Sequence, residues 1–211
     1  MKLYDAPQNP NSLKIRAVAR EVDAPLEIVT VNIQQGETKT PTYLAHNPNG
    51  KVPTLVDGDF SVWESNAIMC YVALKAGATS LLPSEPRPRA TVEQWLFWQT
   101  AHLAPAVGKI VYERLYKRIF GLGEPDQKMI DAGQAEVRRF AGVLDSVLAK
   151  RDYVAGSLTV ADFALAGSFV TRGPEGQPLP APSPWLDVAA FTNVQAWLTR
   201  ITSRASWRQS L

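Results

Sequence analysis

The chain has little of what several function classes require. Its 211 residues hold one cysteine, Cys70, so no internal disulfide framework is available, and its two histidines join no His, Cys or carboxylate group at metal-ligand spacing. Lys plus Arg number 22 against 20 Asp plus Glu, and the resulting +2 charge carries no basic run interleaved with aromatics, which argues against a nucleic-acid partner. Neither an N-terminal targeting region nor a long apolar run is legible, so no membrane role is expected and the cytoplasm is the expected compartment. What is present is 45% apolar residues in a chain long enough for one large or two small domains.

Along the chain the hydrophobic pattern changes once. Lys2, Leu3 and Tyr4 read as a short strand, and Ile15, Val18, Ala19 and Val22 recur at the spacing of an amphipathic helix that Pro25 stops. The β-branched stretch 26–33 reads as a second strand. Residues 79–89 hold three prolines and no periodicity, and read as a linker. Beyond it strand alternation is absent. A Trp-rich helical stretch runs over 90–120 with a break expected near Pro105, a second helix covers 126–149, and Thr159 with Asp162 forms a capping-box variant ahead of an apolar run. A Pro-rich loop over 173–184 precedes a last helix packed through Val194, Trp197, Leu198 and Ile201, with Arg200, Arg204 and Arg208 read as its solvated face. The expected organisation is an α/β unit over 1–78, a linker over 79–89 and an all-α unit over 90–211.

The most informative stretch is 47–68. Pro53 stands where an extended run begins, a position where a cis Val52-Pro53 bond is expected. Asp57-Gly58 between two strand-like runs predicts a type I′ hairpin joining two edge strands. Glu64-Ser65 then ends the second strand and opens a helix, so the Ser65 hydroxyl and the first free N–H groups can meet an anion while Glu64 meets an ammonium. Alone, Glu64 would read as a solvated strand-end charge. With Val52 between, the set fits the α-amino acid head group and peptide bond of a small anionic peptide.

This segment resembles the glutathione site of the glutathione transferase superfamily, phi, theta and nu-like members in particular. The likeness continues upstream, where residues 36–44 resemble the loop that brings a basic residue, here Lys39, to the glycine carboxylate, and Lys51 takes a place used for the same contact. The Gly156-Ser157-Leu158 turn before Thr159 and Asp162 extends it into the second half. The resemblance implies a thioredoxin-like N-terminal domain, an all-helical C-terminal domain, glutathione as co-substrate, no metal and a homodimer. The glutathione contacts implied are Lys39, Lys51, Val52, Pro53, Glu64 and Ser65.

In such proteins the loop after the first strand supplies a Tyr, Ser or Cys to the glutathione sulfur. A thiol of pKa about 8.5 is mostly protonated at neutral pH, so a hydrogen-bond donor and a helix N-terminus serve to stabilise the thiolate. Here the register set by Lys14-Ile15 puts Asn9 where many relatives have Ser, and 9–12 is similar to the nu-like pattern. Asn9, Asn11 and Ser12 are the candidates, and Asn11 and Ser12 read equally well as helix N-caps. Tyr4 reads as core. Cys70 reads as a buried structural thiol.

For a second, hydrophobic substrate the helix after the linker offers Tyr112 and Tyr116, an i, i+4 pair whose hydroxyls suit a half-wet cleft wall. His102 reads as structural. Two functions stay open: transfer of glutathione to small electrophiles, or reduction of disulfides or peroxides with it, against a glutathione-binding or regulatory protein with little turnover.

Overall fold

A computed structural model of the chain describes residues 1–6, 9–171 and 180–211. The first strand β1 (Lys2–Asp5), helix α1 (Pro10–Glu21) and strand β2 (Glu27–Thr30) form a parallel β-α-β unit, with Lys2 to Asp5 paired to Glu27 to Thr30. A short 3-10 turn (Glu37–Lys39) and helix α2 (Pro41–His46) lead to strands β3 (Thr54–Asp57) and β4 (Phe60–Trp63), then helix α3 (Ser65–Lys75). The sheet order is β2-β1-β3-β4, so β3 lies inside the sheet and only β4 of the hairpin is an edge strand. Asp57 pairs with Phe60, which makes Gly58-Asp59 the turn; only Gly58 has positive φ, +65°, so the turn needs one glycine position and the type I′ expectation is not met. This arrangement is a thioredoxin-like α/β unit.

Helix α1 starts earlier than its apolar stripe implies, because Asn9 caps it and Pro10 fits the first helical position, where no N–H is needed. It is buried on every side from Ser12 to Ala19, since it packs on α3 and on helix α8 (Val160–Ser168) of the second half. The second strand is shorter than the β-branched stretch suggested.

The rest is helical. Helix α4 (Pro86–Trp98) takes its first turn from the proline-rich stretch, Pro86 again occupying a first helical position. The expected break near Pro105 is instead a π-turn, Gln99–Leu103, that passes into helix α5 (Ala104–Val111). Pro105 has no N–H to give to the preceding turn, and the wider turn absorbs the lost bond without ending the helix. A second π-turn, Tyr112–Tyr116, precedes helix α6 (Lys117–Phe120). Helix α7 (Gln127–Leu148) is capped by Asp126, whose Oδ1 accepts from Lys128 N at 2.8 Å. Its stripe of Val137, Phe140, Ala141, Leu144 and Leu148 is buried against α5 and helix α9 (Thr192–Thr202), each large side chain contributing about 1.5–3 kcal/mol.

At the centre of this half Asp162 is fully buried and accepts four bonds: from Thr159 N at 2.9 Å, Thr159 Oγ1 at 3.1 Å, Val154 N at 3.0 Å and Trp197 Nε1 at 3.0 Å. Burial pushes its carboxyl pKa up, opposed by these donors. Of the arginines read as a solvated face, Arg208 is exposed, whereas Arg200 pairs with Asp152 at 2.9 Å, and Arg204, just before helix α10 (Ala205–Arg208), donates from Nε to Glu21 of α1 at 3.0 Å. Of the loop expected over 173–184, residues 173–179 lie outside the described residues. Among the described residues no helix is long and apolar enough to cross a membrane.

Candidate functional site

The loop before β3 is built from inside. Asn47 is buried, and its Nδ2 donates to Lys51 O at 2.8 Å and Thr54 Oγ1 at 2.9 Å, while the Tyr43 hydroxyl donates to Lys51 O at 2.7 Å. These bonds hold the carbonyl of Lys51 inward and leave its side chain exposed. The Val52-Pro53 bond is cis. Neither the N–H nor the C=O of Val52 has a partner among the described residues.

Glu64 and Ser65 follow. Glu64 has φ +68° and ψ 113°, a conformation that L side chains rarely adopt, and its exposed carboxylate makes no hydrogen bond among the described residues. Strain of this kind in a non-glycine residue at a helix start is a mark of a binding site. Its carbonyl still opens α3 by accepting from Ile68 N at 2.9 Å. Lys39 is folded over the loop, with Nζ donating to Gly50 O at 3.0 Å and Asn49 O at 3.4 Å. Gly50 must be glycine here: its φ is +57°, and a Cβ would stand 2.8 Å from the backbone carbonyl oxygen of Thr38.

The three candidates for the sulfur contact separate clearly in space. Asn9 is itself the N-cap of α1, with Oδ1 accepting from Asn11 N at 2.8 Å; the cap role expected of Asn11 or Ser12 belongs to it. Asn11 is exposed and its Oδ1 accepts from Ser65 Oγ at 3.4 Å, which joins the starts of α1 and α3. Ser12 points the other way. It is fully buried near Asp5, its Oγ without a hydrogen-bond partner among the described residues; burial raises the Asp5 carboxyl pKa, opposed by the Arg16 guanidinium.

A cleft of about 340 Å³ lies between the start of α1 and the helical half. Asn9 and Asn11 stand on one wall, Val107, Val111, Leu115, Tyr116 and Ile119 on the other, and Gln99 and Ser168 also line it. Such a volume, mostly apolar with a few polar groups, suits a small organic ligand. Tyr116 reaches the cleft and Tyr112 does not. The two are equally exposed, 44% each, but of the π-turn only Leu115 and Tyr116 line the cleft, with Val111 before them. His102 packs against Phe140 with ring centroids 5.5 Å apart and does not line the cleft. Tyr4 packs edge-on to Tyr43, and the Cys70 thiol is pushed up to about 11 by burial.

Sequence reasoning missed the polar links behind the site. Lys14, used there only to set register, is 1% exposed and donates from Nζ to Asn66 Oδ1 at 2.9 Å; burial lowers its ammonium to about 7, with the Glu64 charge opposing. A lysine among Leu13, Ile15 and Ala17 in a helix buried all round was the available signal. His46, whose Nδ1 lies 2.8 Å from Ser61 Oγ, had none.

Two family models match: that of the glutathione S-transferase N-terminal domain over residues 1–74 and that of the C-terminal domain over 96–205. Glutathione S-transferase 3 of Zea mays is 32% identical, over 100% of this chain and 93% of its own. A solved glutathione S-transferase I bound with lactoylglutathione superposes with a TM-score of 0.85 at 28% identity, over 99% of this chain and 97% of the other. Glutathione S-transferase I from maize in complex with an atrazine glutathione conjugate gives a TM-score of 0.86 at 28% identity, over 99% and 95%.

Proposed function

The chain belongs to the glutathione S-transferase family, and we propose that it conjugates glutathione to small hydrophobic electrophiles in the cleft between its two halves. It is a glutathione transferase with glutathione as co-substrate. The observation that supports the site is the Ser65–Asn11 hydrogen bond joining the starts of α3 and α1, with Glu64 next to the Trp63 that pairs with Thr54 just after Pro53.

In this reading the γ-glutamyl carboxylate meets Ser65 and the α3 N–H groups, and its ammonium meets Glu64. The cysteinyl amide runs along the unpartnered backbone of Val52 beside Pro53, and the glycine carboxylate reaches Lys39 and Lys51. Lys39 must leave the carbonyls of Asn49 and Gly50 to do so, which exchanges neutral acceptors for a charged one. Electrostatic complementarity of this kind orients the thiol at the mouth of the apolar cleft.

Asn9 is assigned to the sulfur. Its Oδ1 is taken by Asn11 N–H, so the Nδ2–H group is the one left to donate, and it stands on the cleft wall at the positive end of a 12-residue helix. Asn11, through Ser65, ties the sulfur side to the amino-acid side. Ser12 is left out because its hydroxyl is buried. The thiolate then attacks the electrophile, and Tyr116 with Val107, Val111, Leu115 and Ile119 supplies the surface that holds it.

The reading extends to a homodimer located in the cytoplasm and to a functional division at 1–78, 79–89 and 90–211, with the linker giving up its last residues to α4. Sedimentation velocity tests the dimer. Calorimetric titration with glutathione, followed by conjugation of an aromatic halide, tests the function itself: saturable binding with turnover supports it, binding without turnover supports the regulatory reading, and no binding removes both.

A further inference from the structure

Behind the cleft a chain of side chains has a fixed direction. Lys14 Nζ donates to Asn66 Oδ1 at 2.9 Å; Asn66 Nδ2 donates to Gln99 Oε1 at 3.0 Å and to the carbonyl of Leu96 at 3.2 Å; Gln99 Nε2 donates to Ser168 Oγ at 2.9 Å. A carbonyl only accepts, so the Leu96 contact alone fixes which end of the Asn66 amide faces Gln99, whatever the charge on Lys14. That fixes Gln99 in turn. Ser168 Oγ is therefore an acceptor toward Gln99, and its own proton has no acceptor among the described residues. Ser168 is 8% exposed, and what it faces is the cleft. Thr171, which also lines the cleft, has its hydroxyl tied to Ser183.

The network is held tightly. Gly167 leaves room for the Lys14 stem, since a Cβ at 167 would stand 3.2 Å from Lys14 Cδ, and Gln99 sits in the π-turn, 4% exposed. A buried donor that is satisfied on one side and unpaired on the other is costly unless something in the cleft accepts from it.

We infer, resting on the transferase reading, that Ser168 is a specificity-determining donor to the second substrate, and that the cleft selects electrophiles whose reacting carbon is conjugated to an oxygen acceptor, such as α,β-unsaturated ketones. When the glutathione thiolate adds to the β-carbon, the sulfur–carbon bond forms and the π pair of the C=C bond moves onto the carbonyl oxygen as an enolate. A proton from water then completes the addition at the α-carbon. Charge develops on an oxygen that Ser168 O–H can meet, and a donor held in place before reaction needs no reorganisation to stabilise it. A benzyl halide, which expels halide at a carbon bearing no oxygen, gains nothing from that donor.

The test compares benzylideneacetone and benzyl bromide as electrophiles, with calorimetric glutathione binding measured separately. Ser168→Ala lowers kcat/KM for the ketone about 10- to 100-fold, the range for a hydrogen bond to a charged group, and leaves benzyl bromide within about twofold. Ser168→Thr, which keeps the hydroxyl, recovers most of the ketone rate. Equal losses for both electrophiles, no loss for either, or a wild type that binds glutathione yet does not turn over the ketone overturns the inference. Failure of the wild type to bind glutathione at all removes the underlying transferase reading instead.

Discussion

Ser65 Oγ lies 3.4 Å from Asn11 Oδ1, so the first turn of α3 and the first turn of α1 meet through a side-chain hydrogen bond. These residues are far apart in sequence, and the contact brings two helix N-termini to one point on the surface. Each N-terminus carries unsatisfied N–H groups and a partial positive charge. One suits a carboxylate, the other a thiolate, and glutathione carries both.

The amino-acid end of the site is tested by Ser65→Ala and Glu64→Gln. Each removes a partner from a charged group of glutathione and is expected to weaken binding by roughly 1.5–3 kcal/mol with the far-ultraviolet spectrum unchanged. Unaltered calorimetric affinity in both variants contradicts the assignment.

Asp162→Ala is expected to act on the fold alone. It strips acceptors from two buried backbone N–H groups and from Trp197, and loss of even one such partner costs about 1–3 kcal/mol. Urea unfolding should register a drop of at least that size, while glutathione affinity of the folded fraction stays at the wild-type value. Intact stability with lost turnover reverses the structural assignment.

Lys14 gives a pH dependence. Burial depresses its ammonium from 10.5 to about 7, so between those values the unfolded chain carries a proton there that the folded chain has largely released. Where the unfolded state binds more protons, stability rises with pH. The expected result is that wild-type stability gains on Lys14→Met as pH increases from about 7 to 9, a difference in which Cys70, present in both proteins, cancels. A constant difference between the two proteins over that window contradicts a depressed lysine.

Tyr116→Ala and Tyr112→Ala separate the cleft wall from the outer face. The first should raise KM for a hydrophobic electrophile several-fold, since aromatic burial on binding is worth roughly 1–2 kcal/mol. The second should leave KM unchanged. Equal effects would mean that Tyr116 is no more part of the cleft wall than Tyr112.

Much of this was readable in sequence because local chemistry decided it. Pro53, Gly58, Glu64-Ser65 and the Thr159 to Asp162 box depend on a few adjacent residues, and the stripe of α7 on simple periodicity. What was hidden depends on tertiary contact. The turn slid by one residue to Gly58-Asp59 because Asp57 joins the ladder opposite Phe60, which no turn dipeptide reveals. That Tyr116 and not Tyr112 lines the cleft depends on how the helical half sits against the start of α1, which helical spacing does not tell. Ser12 was unreadable as a buried residue until β1 placed Asp5 beside it, and Lys14 joins residues from α3, the π-turn and α8 that sequence keeps far apart.

The central claim is that Asn9, at the start of α1, stabilises the thiolate of bound glutathione. Titrating the thiolate absorbance of the glutathione complex against pH in wild type and Asn9→Ala tests it most directly. The account predicts a bound thiol pKa below the free value of about 8.5 in wild type, and a rise of about one unit or more in Asn9→Ala, with turnover falling more than affinity. The same titration curve in both proteins would contradict it.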